Sequence, residues 1–175
     1  PIRVLHLVGK MQRGGTETMI MNLYRNMDRS KVQFDFMVHT KEKCDYDDEI
    51  RSLGGRIYSI PRLTPKTFFK YNKELNKFFD EHKEYKIVHC HMSSVSVFCL
   101  RAAKKHGIKI RISHSHSSKS ENSLKGKARD LLKLRLGSYA THLFACSDLA
   151  AKWLFGKDAC KAHLFKNAID LNIFT

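Results

Sequence analysis

Arg3-Val4-Leu5-His6-Leu7-Val8, followed by Gly9-Lys10-Met11-Gln12-Arg13-Gly14-Gly15-Thr16-Glu17, reads as a β-strand, a glycine turn and the start of a helix. The first six residues are rich in Val and Leu, and Thr16–Asn26 then places Met19, Ile20 and Leu23 at helical spacing. The same alternation continues down the chain. Further strands are expected at Gln33–Val38, Arg56–Ile60, Lys86–His91, Lys109–His114, His142–Cys146 and His163–Phe165. Helices are expected at Lys66–His82, Ser94–His106, Leu124–Tyr139 and Asp148–Phe155.

A helix between most successive strands requires parallel pairing through right-handed crossovers. The expected fold is therefore α/β: a Rossmann-like, doubly wound, mainly parallel sheet of about seven strands. Ligands of such sheets sit beyond the carboxyl ends of the strands. That rule selects Gly9–Glu17, His39–Lys43, His91–Ser94, His114–Lys119, Ser147 and Asn167–Asp170 for attention.

Gly14 and Gly15 precede a helix start, whose free N–H groups and dipole suit a phosphate. A turn that only re-aims the chain is the other reading. The spacing is not Gly-x-Gly-x-x-Gly, and Gly15 stands where a P-loop needs lysine, so dinucleotide and NTPase motifs are both rejected.

His89-Cys90-His91 ends one strand and His114-Ser115-His116 ends the next. Residues i and i+2 of a strand share a face, so up to four imidazoles converge while Cys90 turns away. His89 and His114 read as packed, hydrogen-bonded groups inside the sheet. His91 and His116 lie further out, where an imidazole can exchange a proton near neutrality. A metal site is the rival reading, but no Asp or Glu follows either pair closely. Ser113, Ser115, Ser117 and Ser118 add hydroxyls suited to sugar or phosphate, or simply to a solvated loop. No Gly-x-Ser-x-Gly elbow supports a serine hydrolase.

The formal net charge is +15. Residues 101–135 hold eleven basic side chains against two acidic ones, which points to an anionic partner. Within Leu124–Leu136, the residues Leu124, Ala128, Leu131, Leu132 and Leu136 form an apolar stripe, with Lys125, Lys127, Arg129 and Lys133 largely off it. That helix reads either as an ordinary domain helix or as a surface that docks on anionic lipid. It has no interleaved aromatics before Tyr139, so nucleic acid ranks below membrane. No apolar run approaches the roughly 20 residues of a membrane span, and no signal peptide is visible. Five cysteines without a Cys-x-x-Cys pair read as reduced thiols of a cytoplasmic protein.

Taken in order, these motifs resemble glycosyltransferase family 4, the retaining enzymes of two-domain GT-B architecture, and bacterial capsular or exopolysaccharide glycosyltransferases in particular. The resemblance rests on Arg3–Val8 with Arg13–Glu17, on Ile87–His91, on Ile112–Ser117, and on Phe144–Ser147 with Lys166–Phe174. Ala168 departs from it, because the family usually has glycine there. The resemblance implies that residues 1–175 are an N-terminal, acceptor-side domain, with a nucleotide-sugar-binding domain lying outside them. It implies that Gly14, Gly15 and Thr16 approach the donor diphosphate, that His116 binds the reacting sugar, and that His91, Ser117 and Ser118 belong to the acceptor pocket. It implies no metal and no cofactor, the nucleotide-sugar being a substrate. The expected partners are that donor and a glycan or lipid-diphosphate-linked acceptor, not nucleic acid, with the protein cytoplasmic or peripheral at the inner membrane face. The alternatives carried beside it are a non-catalytic module binding anionic lipid or nucleic acid through residues 101–135, and a metal-dependent hydrolase built on the histidines.

Overall fold

A computed structural model describes residues 1–117 and 124–166. The seven strands are β1 (Ile2–Leu7), β2 (Val32–Val38), β3 (Ile57–Ser59), β4 (Ile87–Cys90), β5 (Ile110–Ser115), β6 (His142–Ala145) and β7 (His163–Leu164). They form one sheet in the order β3-β2-β1-β4-β5-β6-β7, and every pairing is parallel. The expected doubly wound sheet is present, with no strand end displaced by more than one residue.

The helices are α1 (Gly15–Asn26), α2 (Asp47–Ser52), α3 (Phe68–Glu81), α4 (Ser96–Lys105), α5 (Leu124–Tyr139) and α6 (Asp148–Phe155). The chain leaves β1 towards β2 on one side and returns to β4 on the other. The switch point of the topology, where such sheets hold ligands, therefore lies between β1 and β4.

Side-chain alternation divides the core in two. Leu5, Leu7, Val88, Cys90, Leu143 and Ala145 face a cluster with Leu75, Phe79, Leu100 and Leu154. Phe36 and Val38 belong to a second cluster with Met19, Ile20, Tyr24 and Ile50. Gly107, at φ +77°, ends α4 in a conformation that favours glycine. All five cysteines are unpaired.

Three expectations need correction. Helix α2 was not anticipated; Asp47, Asp48 and Glu49 occupy its first turn, where the dipole favours acids. The expected Ser94–His106 helix begins instead as a 3-10 turn, Ser93–Val95, because Ser93 takes a φ of +48°. The apolar stripe of α5 is displaced. Leu136 is buried, but Leu131 and Leu134 are 68% and 78% exposed, and Ala128 is exposed too. Lys133 turns inward over the Trp153 ring, 3.8 Å from its centroid, and pairs with Asp130 at 2.6 Å.

Candidate active site at the strand ends

Five imidazoles, rather than four, converge at the switch point. His6 of β1 joins His89, His91, His114 and His116 on one face. The sequence carried its signal: His6 alternates with Leu5 and Leu7, which face the opposite cluster. It also stands in register with His89 across the β1–β4 pair.

The rings are joined diagonally. His6 faces His89 but bonds His91, two residues further along, through Nδ1 and Nε2 at 3.0 Å. His91 Nδ1 then meets His116 Nε2 at 2.8 Å. His89 faces Ile112 and bonds His114, Nε2 to Nδ1, at 3.0 Å. This matches the reading of His89 and His114 as packed, bonded groups. The backbone N–H of His91 donates to the Leu7 carbonyl at 2.9 Å, clamping the ends of β1 and β4 together.

Burial keeps these rings neutral. It pushes His6 down to about 3 and His114 to about 2, helped in each case by neighbouring imidazoles. His116 falls to about 4 through burial alone. His89 and His91 lie well below the ordinary histidine value, again chiefly through desolvation and then mutual repulsion. Three ring nitrogens, His6 Nε2, His114 Nε2 and His116 Nδ1, are buried with no hydrogen-bond partner among the described residues.

Two overlapping triads, His6–His89–His91 and His91–His114–His116, each bring three ligand nitrogens within 4.8 Å of one another. A tetrahedral zinc ion with nitrogens about 2.0–2.1 Å away would space those nitrogens about 3.4 Å apart. The His91–His116 contact of 2.8 Å has hydrogen-bond spacing instead.

The expected serines separate by parity. Ser113 is fully buried, and the Ser115 hydroxyl donates to the Ala150 carbonyl of α6 at 2.8 Å. Neither stands among the histidines. Ser117 does reach the cleft; Ser118 lies outside the described residues, as do Asn167–Asp170.

Beside His91 opens a cavity of about 350 Å³. Its floor is the turn Met92–Val95, and its walls include Ser117, Arg129, Lys133 and Trp153. His116 is not among the lining residues; His91 connects it to the cavity through the 2.8 Å bond. Asp130 also lines the cavity and neutralises Lys133 at 2.6 Å, so the Arg129 guanidinium and the nearby start of α4 are what favour an anionic ligand there. The strained Ser93 at that floor had no counterpart in the sequence pattern.

Gly14 caps α1 with an extended φ of −156°, and Thr16 lies in the first turn. Neither Gly14 nor Gly15 needs glycine for its backbone angle. A Cβ on Gly15 would meet nothing within 4 Å, whereas one on Gly14 would lie 2.5 Å from Glu17 Oε2. The Glu17 carboxyl thus folds back towards the helix start, and desolvation raises its pKa.

These features define a doubly wound α/β domain whose cleft lies at the carboxyl ends of β1, β4 and β5. Residues 13–173 match the family model for glycosyltransferase family 4, and the chain belongs to that family. It is 39% identical to EpsF of Bacillus subtilis (strain 168), a protein assigned as a glycosyltransferase, over 98% of this chain and 46% of that protein. It is 25% identical to CapH of Staphylococcus aureus, a capsular polysaccharide biosynthesis glycosyltransferase, over 85% of this chain and 41% of that one. The fold is similar to Anabaena HepE, solved in complex with UDP-glucose, with a TM-score of 0.72 at 14% identity over 98% of this chain and 45% of that one. The chain spans about half the length of the relatives it matches.

Proposed function

We propose that the protein to which this chain belongs transfers a sugar, with retention and without a metal, from a nucleotide-sugar to a glycan or lipid-diphosphate-linked acceptor in surface polysaccharide synthesis. The observation that carries this reading is the cavity of about 350 Å³ lined by His91, Ser117 and Arg129, with His116 bonded behind His91 at 2.8 Å. A family relative named for capsular polysaccharide biosynthesis supports the product class. A fold neighbour solved with UDP-glucose supports the donor class.

In this reading His116 contacts the reacting sugar as a neutral imidazole. His91, Ser117 and Ser118 bind the acceptor, and the Met92–Val95 turn with Arg129 receives its phosphate. Gly14, Gly15 and Thr16 face the donor diphosphate, whose charge is offset by helix starts and basic side chains rather than by an ion. No nucleophile is assigned. The exposed Leu131 and Leu134 of α5, beside the exposed basic residues Lys127 and Arg135, support peripheral docking on an anionic membrane. Among the described residues no helix is long and apolar enough to cross a membrane.

The test is sugar transfer by the longer protein, using UDP-glucose and other nucleotide-sugars with lipid-diphosphate acceptors, in the presence and absence of chelator. Transfer is expected with chelator present and is expected to be lost in His116→Ala. Wild-type rates in that variant would remove His116 from the site.

A further inference from the structure

We propose that the outer face of the helical layer α3–α4–α5–α6 is one membrane-facing plane, with Phe69 of α3 and Leu149 of α6 as insertion points at its cleft end. This plane extends the peripheral docking proposed for α5 and rests on that reading.

The four helices cover one face of the sheet. Leu75 and Phe79 of α3, Leu100 of α4, Leu136 of α5 and Leu154 of α6 share one buried cluster with Leu5, Leu7 and Val88. Helix α3 packs on α4, α4 on α5, and α5 on α6. Side chains opposite that cluster therefore look out from a common surface. At about 100° per residue, Phe69, Leu131, Leu134 and Leu149 each lie at least about 130° of arc from the buried side chains of their own helix. The same holds for Lys73, Arg101, Lys105, Lys127 and Lys152, and all of these side chains are exposed.

Phe69 is 85% exposed and Leu149 is 64% exposed. Each is the second residue of its helix. Helices of a doubly wound sheet start beyond the carboxyl ends of the strands, so both residues stand at the end where the cleft lies. The cavity beside His91 is lined from that same end, by the Met92–Val95 turn before α4, by Gly126 and Arg129 of α5, and by Trp153 of α6. A layer that rests on a bilayer through Phe69 and Leu149 brings this cavity to the level of the lipid headgroups. A lipid-diphosphate acceptor presents its phosphates there.

Charge and spacing select an anionic bilayer as the partner. Arg101 and Lys105 bond to the neutral amides of Asn72 and Asn76, at 3.1 Å and 3.3 Å, so their charge is not cancelled. Asp148 stands beside Leu149, but Asp80 and Glu81, at the far end of α3, are paired with Lys83 at 3.3 Å and Lys77 at 3.8 Å. Phe69 and Leu149 are three helix spacings apart, about 24–30 Å. The core of a protein interface is a contiguous patch depleted in lysine. Separated apolar side chains set among basic residues suit instead a broad surface with anionic headgroups outside and an apolar layer beneath.

The test is sedimentation of the longer protein with vesicles of mixed phosphatidylglycerol and phosphatidylcholine, and with phosphatidylcholine alone. Binding is expected to the anionic vesicles and is expected to weaken with salt. Phe69→Ser and Leu149→Ser are each expected to weaken it about tenfold, the scale of one Phe or Leu side chain leaving an apolar environment. Both side chains are exposed, so both variants are expected to fold. Leu23→Ser removes an exposed leucine of α1, on the other face of the sheet, and is expected to bind as wild type does. Transfer to a lipid-diphosphate acceptor in vesicles is expected to fall in Phe69→Ser and Leu149→Ser, and transfer to a short-chain water-soluble analogue to hold. Unchanged vesicle binding in both variants, with weaker binding in the double variant Leu131→Ser, Leu134→Ser, overturns the plane and leaves docking by α5 standing. No vesicle binding by the wild type overturns both. Binding of a duplex oligonucleotide that Phe69→Ser weakens as much as it weakens vesicle binding would assign the surface to nucleic acid and overturn the plane. Sedimentation does not depend on turnover, so loss of the transferase reading would leave its result intact.

Discussion

His91 Nδ1 and His116 Nε2 lie 2.8 Å apart, so the ends of two adjacent strands are joined by a bond between side chains that are both held neutral. The bond ties the group at the cavity rim to the group at the end of β5. It also gives the site a defined response to acid, because the array can keep its geometry only while its rings stay unprotonated.

Acid should therefore unfold the chain early. The folded pKa values of His6, His114 and His116, at about 3, 2 and 4, lie below the unfolded value of 6.5. Below about pH 6.5 the unfolded state binds more protons, so stability is full above that pH and is lost as pH falls towards the folded values. Each such histidine contributes a slope of about 1.4 kcal/mol per pH unit in that window. Urea denaturation at pH 7.5, 6.5 and 5.5 should show a midpoint that is flat in the upper interval and falls in the lower one. His114→Phe should reduce the fall.

The turn before α1 makes a separate prediction. The Glu17 carboxyl folds back to where a Gly14 side chain would begin, so it stands near the helix start that the donor diphosphate is read to occupy. Two anions at one helix terminus repel. In the longer protein Glu17→Gln should tighten UDP binding several-fold, on the scale of 1 kcal/mol for one charge near a helix end, as measured by calorimetry. Weaker binding would mean that Glu17 orients the ligand rather than opposing it.

The order of elements was legible because buried parallel strands leave short Val- and Ile-rich runs, and the helices between them leave a 3.6-residue period. The histidine pairs were legible because alternation along a strand is strict. His6 was missed because its partners lie on another strand, and the register of β1 against β4 is not written in either segment alone. The serines were misread for a related reason: Ser113 and Ser115 share the His-x-His segment but point through the sheet to the other face. In α5 the apolar residues outnumber what one neighbour-facing side can bury, so the pattern did not say which leucines face inward. Packing against α4 and α6 decided it, with Leu136 inside and Leu131 and Leu134 outside.

Away from the histidines, Asp35 of β2 tests how the frame is held. It is fully buried and accepts from Arg3 at 2.5 Å, from the Tyr85 hydroxyl at 2.7 Å and from the Arg56 backbone N–H at 2.7 Å. Asp35→Ala strands three donors, one of them charged, and should cost about 3–5 kcal/mol in urea denaturation. Replacing Asp35 and Arg3 together by Leu and Met should cost markedly less, because no buried charge is then left alone.

The exposed face of α5 separates two uses of its charge. Lys133 is spent inside the fold, stacked on Trp153 and paired with Asp130. Lys127, Leu131, Leu134 and Arg135 instead are all exposed and, at 3.6 residues per turn, lie within about 100° of arc on one side of the helix. Leucines supply insertion and basic groups supply attraction worth about 1 kcal/mol each near an anionic surface. Sedimentation with phosphatidylglycerol vesicles should show binding that weakens with salt and falls in the double variant Leu131→Ser, Leu134→Ser. Lys133→Ala should lower thermal stability more than it lowers vesicle binding. Equal binding by wild type and double variant would mean that these leucines face something other than lipid.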